Sequence, residues 1–152
     1  MIRIGVISDT HGLLRPEALA AMAGVDRIIH AGDVCGTEIL RRLERLAPVT
    51  AVRGNMDRGT EMGSLPETEV LEVGGGTFYV LHDLADLDLD PAAGGFDAVV
   101  FGHTHVPEKR WERGVLFLNP GSAGPVRGAK PVSLAMVDVE DGRLAARFVR
   151  LL

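Results

Sequence analysis

Ile2-Arg3-Ile4-Gly5-Val6-Ile7-Ser8-Asp9-Thr10-His11 is an apolar run that ends abruptly on two metal-binding side chains. Residues 2–8 alternate too little for a strand with one wet face and read as a strand buried on both. Asp9 and His11 then stand where ligands bind in α/β domains, beyond the carboxyl end of a strand. Four further segments repeat the arrangement. Residues 27–31 lead to Gly32-Asp33, 49–53 to Gly54-Asn55, 78–81 to His82, and 98–101 to Gly102-His103-Thr104-His105. Four of the five histidines of the chain fall in these segments, which together supply a complete two-metal site.

The intervening sequence supports a strand–helix repeat. Pro16 suits the first turn of a helix running to Met22, with Gly24 as its stop. Thr37 is the expected N-cap of a second helix, which places Ile39, Leu40, Leu43 and Leu46 on one face and mostly charged residues opposite. Pro48 ends it. This first third predicts a parallel sheet with right-handed crossovers. After residue 66 the style changes to hairpins around Gly74-Gly75-Gly76, Arg113-Gly114 and Asp141-Gly142. The glycine triplet reads as a turn rather than a phosphate cradle. An α/β half followed by a hairpin-rich half predicts two mixed β-sheets packed face to face with helices outside, in a single domain over residues 1–152.

Composition narrows the function classes. Hydrophobic content of 46% and charged content of 24% are ordinary for a globular chain. The formal charge of −5, with no basic block, argues against a cationic nucleic-acid surface, although a metal site could still take a phosphodiester. No apolar stretch approaches the roughly 18 residues of a membrane span. The start of the chain leaves no room for a signal peptide, and Cys35 is the only cysteine, so a reduced, cytoplasmic setting is expected.

The donor set defines the chemistry. Asp9 and His11, at i and i+2, are expected on one side of an extended segment. His103 and His105 share that spacing, about 6.6 Å if extended, and could each serve a different ion of a pair about 3.5–4 Å apart. Asp33 offers two oxygens and is the natural bridge, Asn55 adds a neutral oxygen and His82 another nitrogen. Such ligands suit Mn²⁺, Fe²⁺, Zn²⁺, Ni²⁺ or Co²⁺ better than Ca²⁺ or Mg²⁺. Two divalent ions against two carboxylates leave about +2, a centre that draws phosphate, where a shared hydroxide could attack phosphorus.

In this order the motifs resemble those of calcineurin-like metallophosphoesterases, in the branch of small single-domain bacterial and archaeal phosphodiesterases. The matching residues are Asp9/His11, Gly32/Asp33, Gly54/Asn55/Asp57, His82, the Gly102-His103-Thr104-His105 run and Asn119-Pro120-Gly121-Ser122. The resemblance implies the metallo-dependent phosphatase fold, a four-layer α-β-β-α sandwich of two mixed sheets flanked by helices. It implies two divalent ions, Mn²⁺ first among them. Asp9, His11, Asp33 and His105 would hold one ion, and Asp33, Asn55, His82 and His103 the other, with Asp33, Asn55 and His103 at the catalytic centre. The implied substrate is a small phosphodiester or nucleotide-like ester. An isologous homodimer is the default assembly.

Three departures from the family pattern stand out. Met56 occupies the place where many members carry a leaving-group histidine, Asp83 follows His82 where relatives often have glycine, and no cap domain is visible. Arg53 and Arg127 are candidate substrate contacts, each with a paired or solvated alternative. His30 reads as a hydrogen-bonded core histidine, Asp57 as either an orienting group or a loop cap, and Asn119–Ser122 as a turn beside the metals. Cys35 reads as packing, and Trp111 as an interface anchor or hairpin packing. Two other functions remain. One is an interaction scaffold, for which the retromer subunit resembling this family is the precedent. The other is a nuclease, which would need a basic groove.

Overall fold

The computed structural model describes residues 1–152. Strands β1 (Ile2–Ile7), β2 (Arg27–His30) and β3 (Val49–Ala51) run parallel, and β9 (Ser133–Glu140) and β10 (Arg143–Arg150) extend the sheet antiparallel in the order β10-β9-β1-β2-β3. A second sheet has the order β4-β5-β6-β8-β7, from β4 (Thr68–Val73), β5 (Gly76–Leu81), β6 (Ala98–Val100), β7 (Glu108–Glu112) and β8 (Val115–Asn119). Its centre, β5, β6 and β8, is parallel, and its edge strands are antiparallel.

Burial explains the unbroken apolar runs. Ile4, Val6 and Ile29 face Phe78, Val80, Val100, Leu116 and Leu118 across the seam between the sheets. The alternate residues Ile7 and Ile28 face helices α1 (Pro16–Ala21) and α2 (Thr37–Glu44) through Ala18, Met22, Ile39 and Leu43. Crossovers of one hand along a strand order that advances in one direction put both helices on the same face. On the far side of the second sheet, Tyr79, Leu81, Val99, Phe101 and Phe117 are covered by Leu84, Leu87, Leu89 and Phe96. This outer layer is an irregular segment with one 3₁₀ turn at Leu84–Asp86, where Pro91, Gly94 and Gly95 interrupt any helix.

Local differences from the sequence reading have identifiable causes. Gly36, not Thr37, is the N-cap of α2; its extended backbone carries the cap without a side-chain bond, and Thr37 is already helical. β3 stops at Ala51 because the Arg53 N–H turns away to the Pro66 carbonyl. All three hairpins close on two residues with positive φ: Gly74 and Gly75, Arg113 (49°) and Gly114 (77°), and Asp141 and Gly142. This is the type I′ pattern, whose twist matches the flanking strands.

Arg113 is the poorest fit to that turn, since a long side chain gains nothing in the left-handed region. Arg113→Asn will raise stability by about 0.5–1 kcal/mol, read as a small increase in Tm by thermal unfolding.

Candidate metal centre

The ligand-bearing loops leave their strands as tight left-handed turns. Asp9 (φ 55°), His11 (46°), Asp33 (55°), His103 (72°) and His105 (64°) all have positive φ. The i, i+2 pairs therefore do not project from extended segments, contrary to the sequence expectation. For Asp9 and His11 the reason is a ladder between loops, in which Asp9, His11 and Gly12 donate N–H bonds to the carbonyls of Gly32, Asp33 and Val34. Holding such residues left-handed costs about 1–2 kcal/mol each, and strain of this kind concentrates at functional sites. Two motif glycines answer a different demand, close approach. A Cβ on Gly32 would lie 2.6 Å from His82 Nδ1, and one on Gly102 would lie 2.6 Å from Asp9 Oδ2.

The four imidazoles form two edge-on pairs, His11 with His105 and His82 with His103. In the first cluster, His105 Nε2 lies 3.2 Å and His11 Nε2 3.5 Å from Asp9 Oδ1. The other Asp9 oxygen is occupied by the Ser8 hydroxyl (2.6 Å) and the His103 N–H (3.1 Å). In the second cluster, Asn55 Oδ1 lies 3.0 Å from His82 Nε2 and 3.2 Å from His103 Nδ1, and Asp33 Oδ2 lies 3.2 Å from His82 Nε2. The same Asp33 oxygen is 3.7 Å from His11 Nε2, between the clusters. Its partner Oδ1 accepts the Met56 N–H (2.8 Å). Asp33 thus has one free oxygen for the site rather than the two that the sequence offers.

Burial pushes the Asp9 carboxyl up, but the facing His11 imidazole and the Ser8 hydroxyl bond, with His82 and His105 nearby, outweigh it and hold the group below the usual range. Asp33 behaves alike, with His82 and the Met56 N–H overcoming burial. His82 is lowered by burial and more than restored by the Asp33 and Asp9 carboxylates, so it ends raised. His105 is lowered, by burial first, and by His11, Arg127 and Lys130 against the pull of Asp9.

Supporting residues hold the loops. Fully buried Asp57 accepts N–H bonds from Gly54 (2.9 Å), Val34 (3.3 Å) and Cys35 (2.9 Å), so it ties the Asp33 loop to the Asn55 turn. The Asn119 amide donates to the Gly102 carbonyl and the Thr104 hydroxyl and accepts the Gly121 N–H, and the Ser122 hydroxyl donates to the Asp9 carbonyl. His30 is fully buried: its Nδ1 accepts the Gly32 N–H (3.1 Å) and its Nε2–H donates to Thr10 Oγ1 (3.0 Å), which donates onward to the Val34 carbonyl. The network places the His30 proton on Nε2. Burial first, then Asp57 and Asp33, push the Cys35 thiol up to about 11, leaving it a protonated thiol.

Arg53 lines the site, but its guanidinium bonds to the Gly63 carbonyl and pairs with Glu67. Arg127 is exposed in the 124–130 loop, within electrostatic range of His105. Met56 and Trp111 are exposed.

Asp9 Oδ1 is the one buried side-chain polar atom without a hydrogen-bond partner. Leaving an ionised oxygen so desolvated costs several kcal/mol, on the order of an unmade charged hydrogen bond. His82 Nδ1 donates to the Ala31 carbonyl (2.8 Å), which turns the Nε2 lone pair toward the oxygens of Asn55 and Asp33. Facing acceptors of this kind are reconciled by a cation among them. Asp9, His11 and His105 form one group with metal-ligand spacing, and Asp9, Asp33 and His82 a second. The residues present fit divalent metal ions.

The calcineurin-like phosphoesterase superfamily domain matches residues 2–142. The chain belongs to that superfamily. A probable metallophosphoesterase of Methanothermobacter thermautotrophicus is 39% identical to it, over 97% of this chain and 91% of the relative. Phosphodiesterase YfcE of Escherichia coli K12 is 29% identical, over 91% and 88%. Among solved structures, wild-type Vps29 of Entamoeba histolytica complexed with Zn²⁺ superposes with a TM-score of 0.74 at 25% identity, covering 99% of this chain and all of that one (100%). The shared architecture is the metallophosphoesterase fold, with the two mixed sheets the motifs implied; helices cover the first sheet and an irregular segment covers the second.

Burial lowers the pKa of His30 from 6.5 to about 4. Only the unfolded chain takes up that proton between the two values, so this contribution to stability is whole above about pH 6.5 and drains away as pH falls toward 4. His30→Asn will lose its stability deficit relative to wild type on acidification. Urea unfolding should show the gap narrowing by roughly 2 kcal/mol between about pH 7 and about pH 5.

Proposed function

We propose that this chain is a metal-dependent phosphodiesterase, with a dinuclear centre held by Asp9, His11, Asp33, Asn55, His82, His103 and His105. The observation that carries the reading is the unpartnered Asp9 Oδ1 facing the Nε2 atoms of His11, His82 and His105. The phosphodiesterase named among its relatives supports the reaction class. Divalent ions, Mn²⁺ the first to test, would supply positive charge for the phosphoryl oxygens and activate water.

The chain's own residues set the rest. Asp33 would bridge through Oδ2 alone, because Oδ1 is held by the Met56 N–H. Asn55 Oδ1 and His103 Nδ1 would complete the second cluster at the rim of the site, leaving the Asn55 amide N–H₂ to orient the phosphoryl group. A cavity of about 440 Å³ opens beside the second cluster, with Arg53, Arg58, Asn55, Tyr79, Asp83 and His103 among its walls. It suits one ester arm of a small substrate. Arg127 and Lys130 flank the other end near His105 and favour the anion. With Met56 where an imidazole would protonate a leaving group, diesters with weakly basic leaving groups are the preferred class.

A second reading, a metal-bound interaction module, is favoured by the likeness to Vps29. Metal-stripped protein reloaded with Mn²⁺, Ni²⁺, Zn²⁺ or Mg²⁺ and offered aryl phosphate diesters separates the two. Restored cleavage supports the phosphodiesterase, and bound metal without turnover supports the module.

Asp33→Ala will lower metal content and reduce diester cleavage by more than the roughly 100-fold that loss of an outer-shell partner costs. Full activity at normal loading would refute the bridge. Met56→His will raise monoester over diester cleavage by about 10-fold or more, a fraction of the roughly 10²–10⁴-fold a well-positioned general acid supplies; an unchanged ratio of the two rates would count against a missing leaving-group acid.

A further inference from the structure

His103 is the least enclosed of the four imidazoles. Its side chain is 43% exposed, against 13% for His11 and 6% for His82. Packing therefore does little to fix its ring. Nδ1 faces Asn55 Oδ1 and the second cluster at 3.2 Å, so Nε2 points outward. The carboxylate that Nε2 meets is Asp83, with Oδ2 at 3.6 Å. That carboxylate is itself held, since Oδ1 accepts the Ala85 N–H (3.0 Å) and caps the 3₁₀ turn at Leu84–Asp86. Asp83 also follows His82 directly, so the end of β5 would deliver one ligand and the group that faces another.

We propose that Asp83 is the positioning residue for His103, setting the ring so that Nδ1 is free to bind the second metal ion. A neutral imidazole that ligates through one nitrogen carries its proton on the other, and a carboxylate opposite that proton fixes the tautomer and orients the ring. At 3.6 Å the pair is an electrostatic contact rather than a direct hydrogen bond. A fixed negative charge at that range still favours the tautomer protonated on Nε2. Removing it selects against the second ion and leaves the first, because Asp83 faces His103 while His11 and His105 pair with each other in the first cluster. The inference rests on the two-ion reading above.

The test is Mn²⁺ titration of metal-stripped wild type and Asp83→Asn by isothermal calorimetry, with bound metal counted independently. Asparagine keeps the shape and the Ala85 cap and removes the charge. The expected result is two ions in wild type and a second-ion Kd weakened by roughly 10–100-fold in the variant, with the first-ion Kd and the metal-free Tm unchanged. Two ions bound with unaltered affinities in Asp83→Asn would overturn the role of Asp83 alone. Equal weakening of both ions with a lowered Tm would show a structural role and overturn it as well. A single ion in wild type would overturn the two-ion reading and this inference with it.

Discussion

The seam between the two sheets is the constraint on which the site depends. Ile4, Val6 and Ile29 pack against Phe78, Val80, Val100 and Leu118 there, all essentially excluded from water. Because side chains alternate along a strand, a slip of one residue would expose that whole set, so the register is strongly specified. The same packing brings the carboxyl ends of the parallel strands of both sheets to one edge. Contact there is close: the Gly102 N–H donates to the His82 carbonyl, and a side chain on Gly32 would strike the His82 ring. Residues as far apart in sequence as Asp9 and His105 thereby meet within 3.2 Å.

Convergence of this kind works against stability. Five non-glycine residues of the cluster held left-handed total on the order of 5–10 kcal/mol of local strain, comparable to the net stability of a whole domain. Two buried carboxylates add desolvation. The conformation persists because its surroundings over-determine it. Asp57 binds three backbone N–H groups across two loops, and the Asn119 amide spans the Gly102 carbonyl and the Gly121 N–H. A site prepared in advance, with its oxygen and nitrogen lone pairs already aimed inward, has little left to reorganise when a cation arrives.

A shared fold does not by itself assign an activity. Vps29 and phosphodiesterase YfcE lie on the same architecture as this chain. What points to chemistry in this chain is its local donor set: four imidazoles in two pairs, two carboxylates and one amide oxygen, with cationic Arg127 and Lys130 near one end and acidic Asp83 at the other. That polarity sets a cationic end and an acidic end across the cluster in an otherwise acidic protein, with no basic groove.

Much of this was legible in the sequence. Apolar runs without alternation announced strands buried on both faces, and Arg113-Gly114 and Asp141-Gly142 announced two-residue hairpins, because periodicity and turn chemistry are properties of neighbouring residues. The ligand residue types, in order at strand ends, pointed to metal chemistry for the same reason. What only the tertiary structure decided was relational. The left-handed turns at Asp9 and His11 come from a ladder with another loop, the single free oxygen of Asp33 from the Met56 N–H, and the role of Asp57 from donors on distant segments. The outer layer over Tyr79 and Phe117 is irregular because packing onto a finished sheet needs only apolar contact, not a periodic helix. Local pattern specifies which groups are present and on which element they sit; the packing of remote segments determines which lone pairs face one another.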